Sequence, residues 1–532
     1  MDSFDYVVIG AGSAGCPVVN RLSENGKFSV LVLEAGPRDT NPWIHVPLGF
    51  GKTFANKHVN WCFFTEPSSG LDGRSVYSPC GKVLGGSSSI NGLVYTRGQR
   101  EDFDGWERAG NQGWGYDDVL PFFRKSENQQ HGQDDFHGAA GPLQVFDVND
   151  CHPLSAAFVD SATEAGIPRN TDFNGSRQEG VGSFQVTART GRRVSSAVAF
   201  LRTAERRNNV CVKTGAEVER LAIDNGTVTG LTYLQGGQRH KAIARKSVVL
   251  SAGALNSPAI LQRSGIGRRE WLQAAGIEVQ HELRGVGSNL QDHIQARLAI
   301  RSRRLSTLNS QVGNPLQLVL MGLRYAFFRR GPLASAGGQT GGFVRTREEL
   351  DRPDIMYFVM PFSSADLRKG LDRFPGFTIA SCLLRPESRG TVRVRSNDPK
   401  DSPLIDPNYL AAESDRRTML DGLRLARRIA DMGPLQQEIA CEERPGRSVE
   451  SDDDLLRYIR ATASSVYHPV GTCKMGIDLD AVVDARLRLR GLGGLTVADA
   501  SVMPTIVSGP TNAASIMIGE RAASFLLEDG QS

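Results

Sequence analysis

A composite α/β fold is predicted, with a Rossmann-like dinucleotide-binding part joined to a second part built on an antiparallel sheet. Three observations predict it. The chain opens on an apolar strand, a Gly-x-Gly-x-x-Gly turn, a helical pattern and a second apolar strand. A second strand–turn–helix pattern begins at Gly253, after "KSVVLSAG". In the middle, 376–384 and 389–396 read as strands, the latter alternating Val392 and Val394 with Arg393 and Arg395. That alternation belongs to a half-exposed antiparallel sheet, unlike the fully apolar strands of the N-terminal unit.

The first unit gives each residue a reason. Residues 4–9 and 29–33 are the strands, and Val18, Val19 and Leu22 mark the helix between them. Gly10 makes the tight turn, Gly12 lets backbone N–H groups approach a pyrophosphate, and Gly15 lets the helix pack on the strands. The helix N-terminus faces the phosphates, and the Glu34 carboxylate accepts from ribose hydroxyls. Whether the ligand is NAD or FAD is not written in the motif; its place at the start of a long chain leans towards FAD. Next, "LGGSSSINGLVY" offers unhindered backbone amides and three hydroxyls, Ser87, Ser88 and Ser89, suited to a second phosphate or a flavin edge. "GVGSNLQDH" carries His293, read as a hydrogen-bonded structural histidine.

Bulk properties exclude other classes. The 532 residues suffice for two to four domains or one large composite enzyme. A hydrophobic share of 40% and a charged share of 23% are those of a soluble globular chain. The 58 glycines follow no short period, so they mark turns and backbone–ligand approaches. A net charge of +4, with paired arginines scattered and not interleaved with aromatics, argues against nucleic-acid binding. Eight separated cysteines without a C-x-x-C read as reduced thiols of a cytoplasmic protein, and Met1 leads directly into a strand without a leader pattern. No apolar window is long enough to span a membrane. The nearest, 316–333, is interrupted by Arg324 and reads as a helix ending at Gly331-Pro332. Its other reading is a surface helix on the inner face of a membrane, with Arg329 and Arg330 near lipid phosphates.

"SSVYHPVGTCKMG" sets His468 close to Cys473 and fits a metal site, a thiol nucleophile with its base, or neither. A structural zinc needs four ligands, and no other Cys/His pair at metal spacing occurs, so no metal is expected. Cys473 is expected to be small packing.

Together, the N-terminal cradle, 81–104, 253–267, "YHPVGTCKMG" and "VADASVMPTIVSGPTNAASIMIGERAA" resemble the glucose–methanol–choline (GMC) family of flavin oxidoreductases. The likeness is greatest to its bacterial choline, alkanol and L-sorbose dehydrogenases. The resemblance implies a discontinuous FAD domain from 1–150, 205–300 and 462–532, and a substrate domain from 151–204 and 301–461. It places FAD contacts on Gly10, Gly12, Ser13, Ala14, Gly15, Glu34 and Ala35. Further contacts are Leu84, Gly86, Ser87, Asn91, Gly92, Leu93, Val94, Val218, Ala252, Asp499, Ala500 and Asn512. Ile90 stands where members with covalent flavin carry histidine, which implies non-covalent FAD.

The family's base position falls on His468 and its partner on Asn512. Asn512 cannot take a proton, so His468 is the expected base and Asn512 the donor to the alkoxide-like oxygen. Val466 and Tyr467 are expected to line the substrate cavity. The expected reaction is oxidation of a primary alcohol, with electrons passed to a quinone or another acceptor. Its alternatives are an oxidase that makes peroxide from oxygen and a substrate of choline or sorbose type.

Overall fold

The computed structural model describes residues 2–148 and 150–530, and two seven-stranded sheets organise them. In the first, Asp2–Ile9 lies between Val30–Glu34 and Gln238–Leu250, parallel to both. Val210–Thr214 extends this sheet beyond Val30–Glu34, and Leu495–Val497 joins the far end of Gln238–Leu250, both in parallel. The other half of Gln238–Leu250 turns to antiparallel partners, Thr227–Gln235 and then Ala216–Asp224. Every residue of Val30–Glu34 is buried, as a strand covered on both faces requires.

Helix Gly15–Ser23 packs against the C-terminal helix Asn512–Asp529. A Cβ at Gly519 would stand 2.3 Å from the Ala14 carbonyl oxygen, so glycine permits this approach. Arg21 and the buried Glu520 lock the two helices with a 2.7 Å ion pair. The last helix of the chain is thereby fixed against the first turn, with Asn512 at its leading end.

The second sheet is antiparallel. Its order is Ile439–Arg444, Ile294–Ser302, Gly376–Leu383, Ile355–Met360, Thr340–Val344 and Gly180–Ser183, with Ser464–Ser465 also paired to Ile294–Ser302. Gly376–Leu383 departs from the half-exposed expectation, because all eight of its residues are buried. Phe377, Ile379 and Leu383 pack in the cluster that holds Met419 and Leu423 of helix Glu413–Ala430. Ala380 and Cys382 pack on the other face with Phe184, Phe343 and Phe358. The second expected strand forms only a two-stranded ribbon, Thr391–Arg393 with Leu404–Asp406, outside this sheet. Its alternation survives, with Val392 and Val394 buried and Arg395 exposed.

Ile294–Ser302, which runs across the expected boundary at 300/301, and Ser464–Ser465, within 462–532, both pair in the second sheet. Ser464–Ser465 belongs to the second sheet and Leu495–Val497 to the first, so His468 sits where the chain passes between them. Helix Pro315–Phe328 stops earlier than expected, with Arg329 in the left-handed region at φ 54°. No helix among the described residues is long and apolar enough to cross a membrane.

Candidate active site

A cavity of about 600 Å³ runs from Val218 to His468 and Asn512 between the two sheets, within the usual range for a ligand site. Two glycine turns form its floor. The Gly85 N–H donates to the Ala11 carbonyl at 2.7 Å, and a Cβ on Gly86 would stand 2.8 Å from the Gly12 Cα. The turns thus stack backbone on backbone, which only glycine allows, since Gly86 also has φ 54°. No side chain caps helix Gly15–Ser23; the Cys16 N–H turns back to the Gly12 carbonyl at 3.2 Å, and the residues just before the helix, Gly12, Ser13 and Ala14, line the cavity where the helix dipole favours an anion. Glu34 is buried and takes one backbone N–H on each oxygen, from Ala11 at 3.0 Å and Gly36 at 2.8 Å. Burial pushes its carboxyl up to about 7 against those hydrogen bonds. These features fit the pyrophosphate and ribose of a dinucleotide.

Every residue expected at the cofactor lines this cavity except Gly15 and Leu84. Gly15 serves packing, because a Cβ there would meet the Gly10 carbonyl oxygen at 2.0 Å. Leu84 is turned into the core of the first sheet. Of the three serines expected to offer hydroxyls, only Ser87 reaches the cavity. Ser88 and Ser89 donate to the carbonyls of Gly85 and Leu84. Asp499 accepts from the Gly253 and Ser501 N–H groups at 2.8 Å each and from the Ser257 hydroxyl at 2.5 Å. It thereby ties the second strand–turn–helix unit to the last one. Arg193, unnoticed in the sequence, lies buried behind the wall and donates to Ile44, Ser88 and Asn91 oxygens. Without a carboxylate partner, its guanidinium is held down to about 9 by burial.

At the far end, the Ser13 hydroxyl donates to Asn512 Oδ1 at 2.7 Å, which leaves the Asn512 amide N–H groups for the cavity. His468 is held by two consecutive residues. Asp292 accepts the His468 backbone N–H at 2.8 Å, while its other oxygen takes the Ser465 and Tyr409 hydroxyls. His293 faces the His468 ring, with Nδ1 to Nδ1 at 3.0 Å, and its Nε2 lies 2.9 Å from the Leu384 carbonyl oxygen. Tyr467, at φ 68°, makes the strained step that presents His468, and its ring packs against Phe54.

The Leu384 carbonyl can only accept, so His293 carries its proton on Nε2. Its Nδ1 is then a lone pair, and His468 must donate from its own Nδ1. What remains on His468 is an unprotonated Nε2. Burial, and then His293, hold His468 well below the ordinary histidine range, and burial holds His293 at about 4. Both rings are neutral at pH 7. His293 was read as structural; its contact with His468 joins segments far apart in sequence, and the only local signal was its acidic neighbour Asp292. Cys473 is buried, burial pushes its thiol well above the usual range, and it lies outside the cavity lining. Among the described residues no cluster of metal-ligating side chains occurs.

Comparison with known proteins agrees with this geometry. Models of the GMC oxidoreductase family match residues 4–295 and 386–519. The chain is 43% identical to the alcohol dehydrogenase [acceptor] of Pseudomonas putida, over 98% of its length and 96% of that protein's. It is 40% identical to the mitochondrial choline dehydrogenase of Homo sapiens, over 99% and 90%. The solved pyridoxine 4-oxidase from Mesorbium loti superposes with a TM-score of 0.89 at 32% identity, covering 98% of each chain. The two turns, the cavity and the family models agree: the chain belongs to the GMC oxidoreductase family of FAD-dependent enzymes.

Proposed function

We propose that the cavity holds FAD without a covalent bond and that the chain oxidises a primary alcohol to the aldehyde. His468 takes the hydroxyl proton, and the electrons pass on to a quinone or another non-oxygen acceptor. The hydrogen-bond chain from the Leu384 carbonyl through His293 to His468 carries this reading. It leaves the lone pair of His468 Nε2 as the proton acceptor at the cavity end where Asn512 offers its amide N–H groups. Bound FAD supplies the hydride acceptor. Asn512 steadies the oxygen as its charge grows, and Ser13 keeps the amide from rotating. His293 acts through His468 as a positioning residue. It fixes the tautomer, and its buried neutral ring disfavours a second charge nearby.

Non-covalent binding is supported by the cavity wall. Ile90 is apolar and packs with Ile44, Val59 and Val83. Cys80 lines the cavity, but burial pushes its thiol up to about 12, so no thiolate is available for attachment.

Helix Pro315–Phe328 supports contact with a membrane surface. Only Met321 and Tyr325 are buried. At 100° per residue, Leu316, Val319, Leu320, Leu323 and Phe327 fall within about 100° of arc, roughly opposite them. All five are exposed, Phe327 by 77%. From 302 to 344 the chain carries Arg303, Arg304, Arg324, Arg329 and Arg330 and no acid, which suits anionic headgroups. A second copy would instead bring two such basic segments together. Met321 packs with Phe50, Met360, Phe362 and Leu367, four cavity-lining residues, so the helix backs the substrate side of the cavity. A lipid-dissolved quinone would reach that side from the bilayer.

His468→Ala is expected to retain flavin while kcat falls about 10²- to 10⁴-fold. His293→Ala is expected to lose about 10- to 100-fold. His293→Gln, whose amide oxygen can accept the same N–H, loses less. Stopped-flow flavin reduction by a panel of primary alcohols, with a dye acceptor or oxygen for turnover, measures all three. Near wild-type reduction by His468→Ala would remove the proposal.

Acid precipitation of the holoenzyme is expected to leave the yellow colour in the supernatant; colour in the pellet would contradict non-covalent binding.

The holoenzyme is expected to float with vesicles containing phosphatidylglycerol and not with phosphatidylcholine alone. Phe327→Glu should abolish flotation without altering turnover of a water-soluble alcohol. Wild-type protein left at the bottom of the gradient with anionic vesicles would contradict membrane contact.

A further inference from the structure

The reacting end of the cavity carries an uncompensated cation. Arg297 projects from Ile294–Ser302, the strand that also holds the Ser464–Ser465 segment leading to His468, and it lines the cavity together with Gln295, Val466 and Tyr467. Its Nε is buried and has no hydrogen-bond partner, and it forms no ion pair among the described residues. Its charge, and a side-chain hydrogen bond, act on the Tyr467 hydroxyl beside the proposed base; neither supplies a counter-charge.

Every carboxylate that lines the cavity is engaged elsewhere. Glu34 takes two backbone N–H groups, and Asp499 takes three donors. Glu217 faces Lys82 at 3.8 Å, and Asp401 accepts from the Ser396 hydroxyl at 2.5 Å. Two further acids act on Tyr467 from outside the lining. Asp292 is buried behind His468 with both oxygens occupied, and Asp366 is paired with Arg368 at 2.7 Å. The other surfaces on the substrate side are apolar: Phe50, Phe54, Phe358, Met360, Phe362 and Leu367.

We infer that Arg297 is a specificity-determining residue that excludes cationic alcohols, so that the enzyme takes neutral or anionic primary alcohols with an apolar body and rejects quaternary ammonium alcohols such as choline. The aromatic rings could face an ammonium group by cation–π attraction. A guanidinium without a counter-ion in the same enclosed space opposes it, because like charges repel more strongly where water is excluded. An alcohol bearing a carboxylate would instead supply the counter-charge that the Arg297 guanidinium lacks, and a neutral alcohol would carry no opposing charge.

This inference rests on the alcohol-oxidation reading, and a matched pair of substrates separates the two. Choline and 3,3-dimethylbutan-1-ol have nearly the same shape and differ in one charge. Anaerobic flavin reduction by the wild-type holoenzyme is expected to favour the neutral alcohol at least 100-fold in rate over concentration. Arg297→Leu is expected to narrow that ratio at least tenfold by improving choline, while Arg297→Lys, which keeps the charge, preserves it. Flavin content and thermal midpoint confirm that each variant is folded. If neither compound reduces flavin, their inhibition constants against another reducing alcohol are read in the same way. If no alcohol reduces flavin, the oxidation reading fails, and perturbation of the flavin spectrum by the two compounds still tests the charge filter. Choline binding as well as its neutral isostere, or a ratio unmoved by Arg297→Leu, would overturn the inference.

Discussion

The reacting end of the cavity depends on one backbone carbonyl, that of Leu384, which can only accept a hydrogen bond. His293 must donate to it, His468 must donate to His293, and the one ring nitrogen left without a proton is His468 Nε2. The arrangement assigns a tautomer without a carboxylate in line, so the proposed base is directed without being made cationic. The neighbouring acid, Asp292, is applied to the His468 backbone instead. Two adjacent residues therefore divide the work, one placing the main chain and the other setting the ring. Both precede Ile294–Ser302, the strand through which the second sheet grips the segment before His468.

The other end of the cavity is built from main chain. Two glycine turns meet with no room for a side chain, an uncapped helix start points between them, and the C-terminal helix is locked onto the first helix by Arg21 and Glu520. That lock reaches the chemistry, because Asn512 at the start of the C-terminal helix receives the Ser13 hydroxyl from within the first turn. The glycine cradle and the Asn512 amide, proposed to hold the substrate oxygen, are thus tied directly to one another. The proposed proton acceptor, His468, comes from the seam with the second sheet, and the cavity is the space left where the two meet.

What was legible in the sequence follows from where each signal lies. The cradle could be read because strand, Gly10, Gly12, Gly15 and Glu34 are close along the chain and each answers a local requirement. Gly376–Leu383 was misjudged because the half-exposed reading came from the alternation of 389–396, which forms a separate ribbon and carries no information about whether both faces of this strand are covered. The role of His293 was hidden because its partners are an imidazole 175 positions away and a carbonyl, which has no side-chain signature. Gln295 and Arg297 alternate with apolar neighbours just as solvent-facing residues would, although they face an internal cavity. The proposed catalytic pair, His468 and Asn512, came from the family resemblance, since a histidine beside a cysteine is compatible with several chemistries.

The most direct test of this account is the protonation pattern of the two rings in the flavin-bound enzyme. Histidine-selective 15N labelling, with signals of the nine histidines assigned through single His293 and His468 variants, reads each nitrogen separately. Near neutral pH, His468 should carry its proton on Nδ1 with Nε2 bare, and His293 should carry its proton on Nε2. A His468 protonated at Nε2, or a His293 protonated at Nδ1, would contradict it.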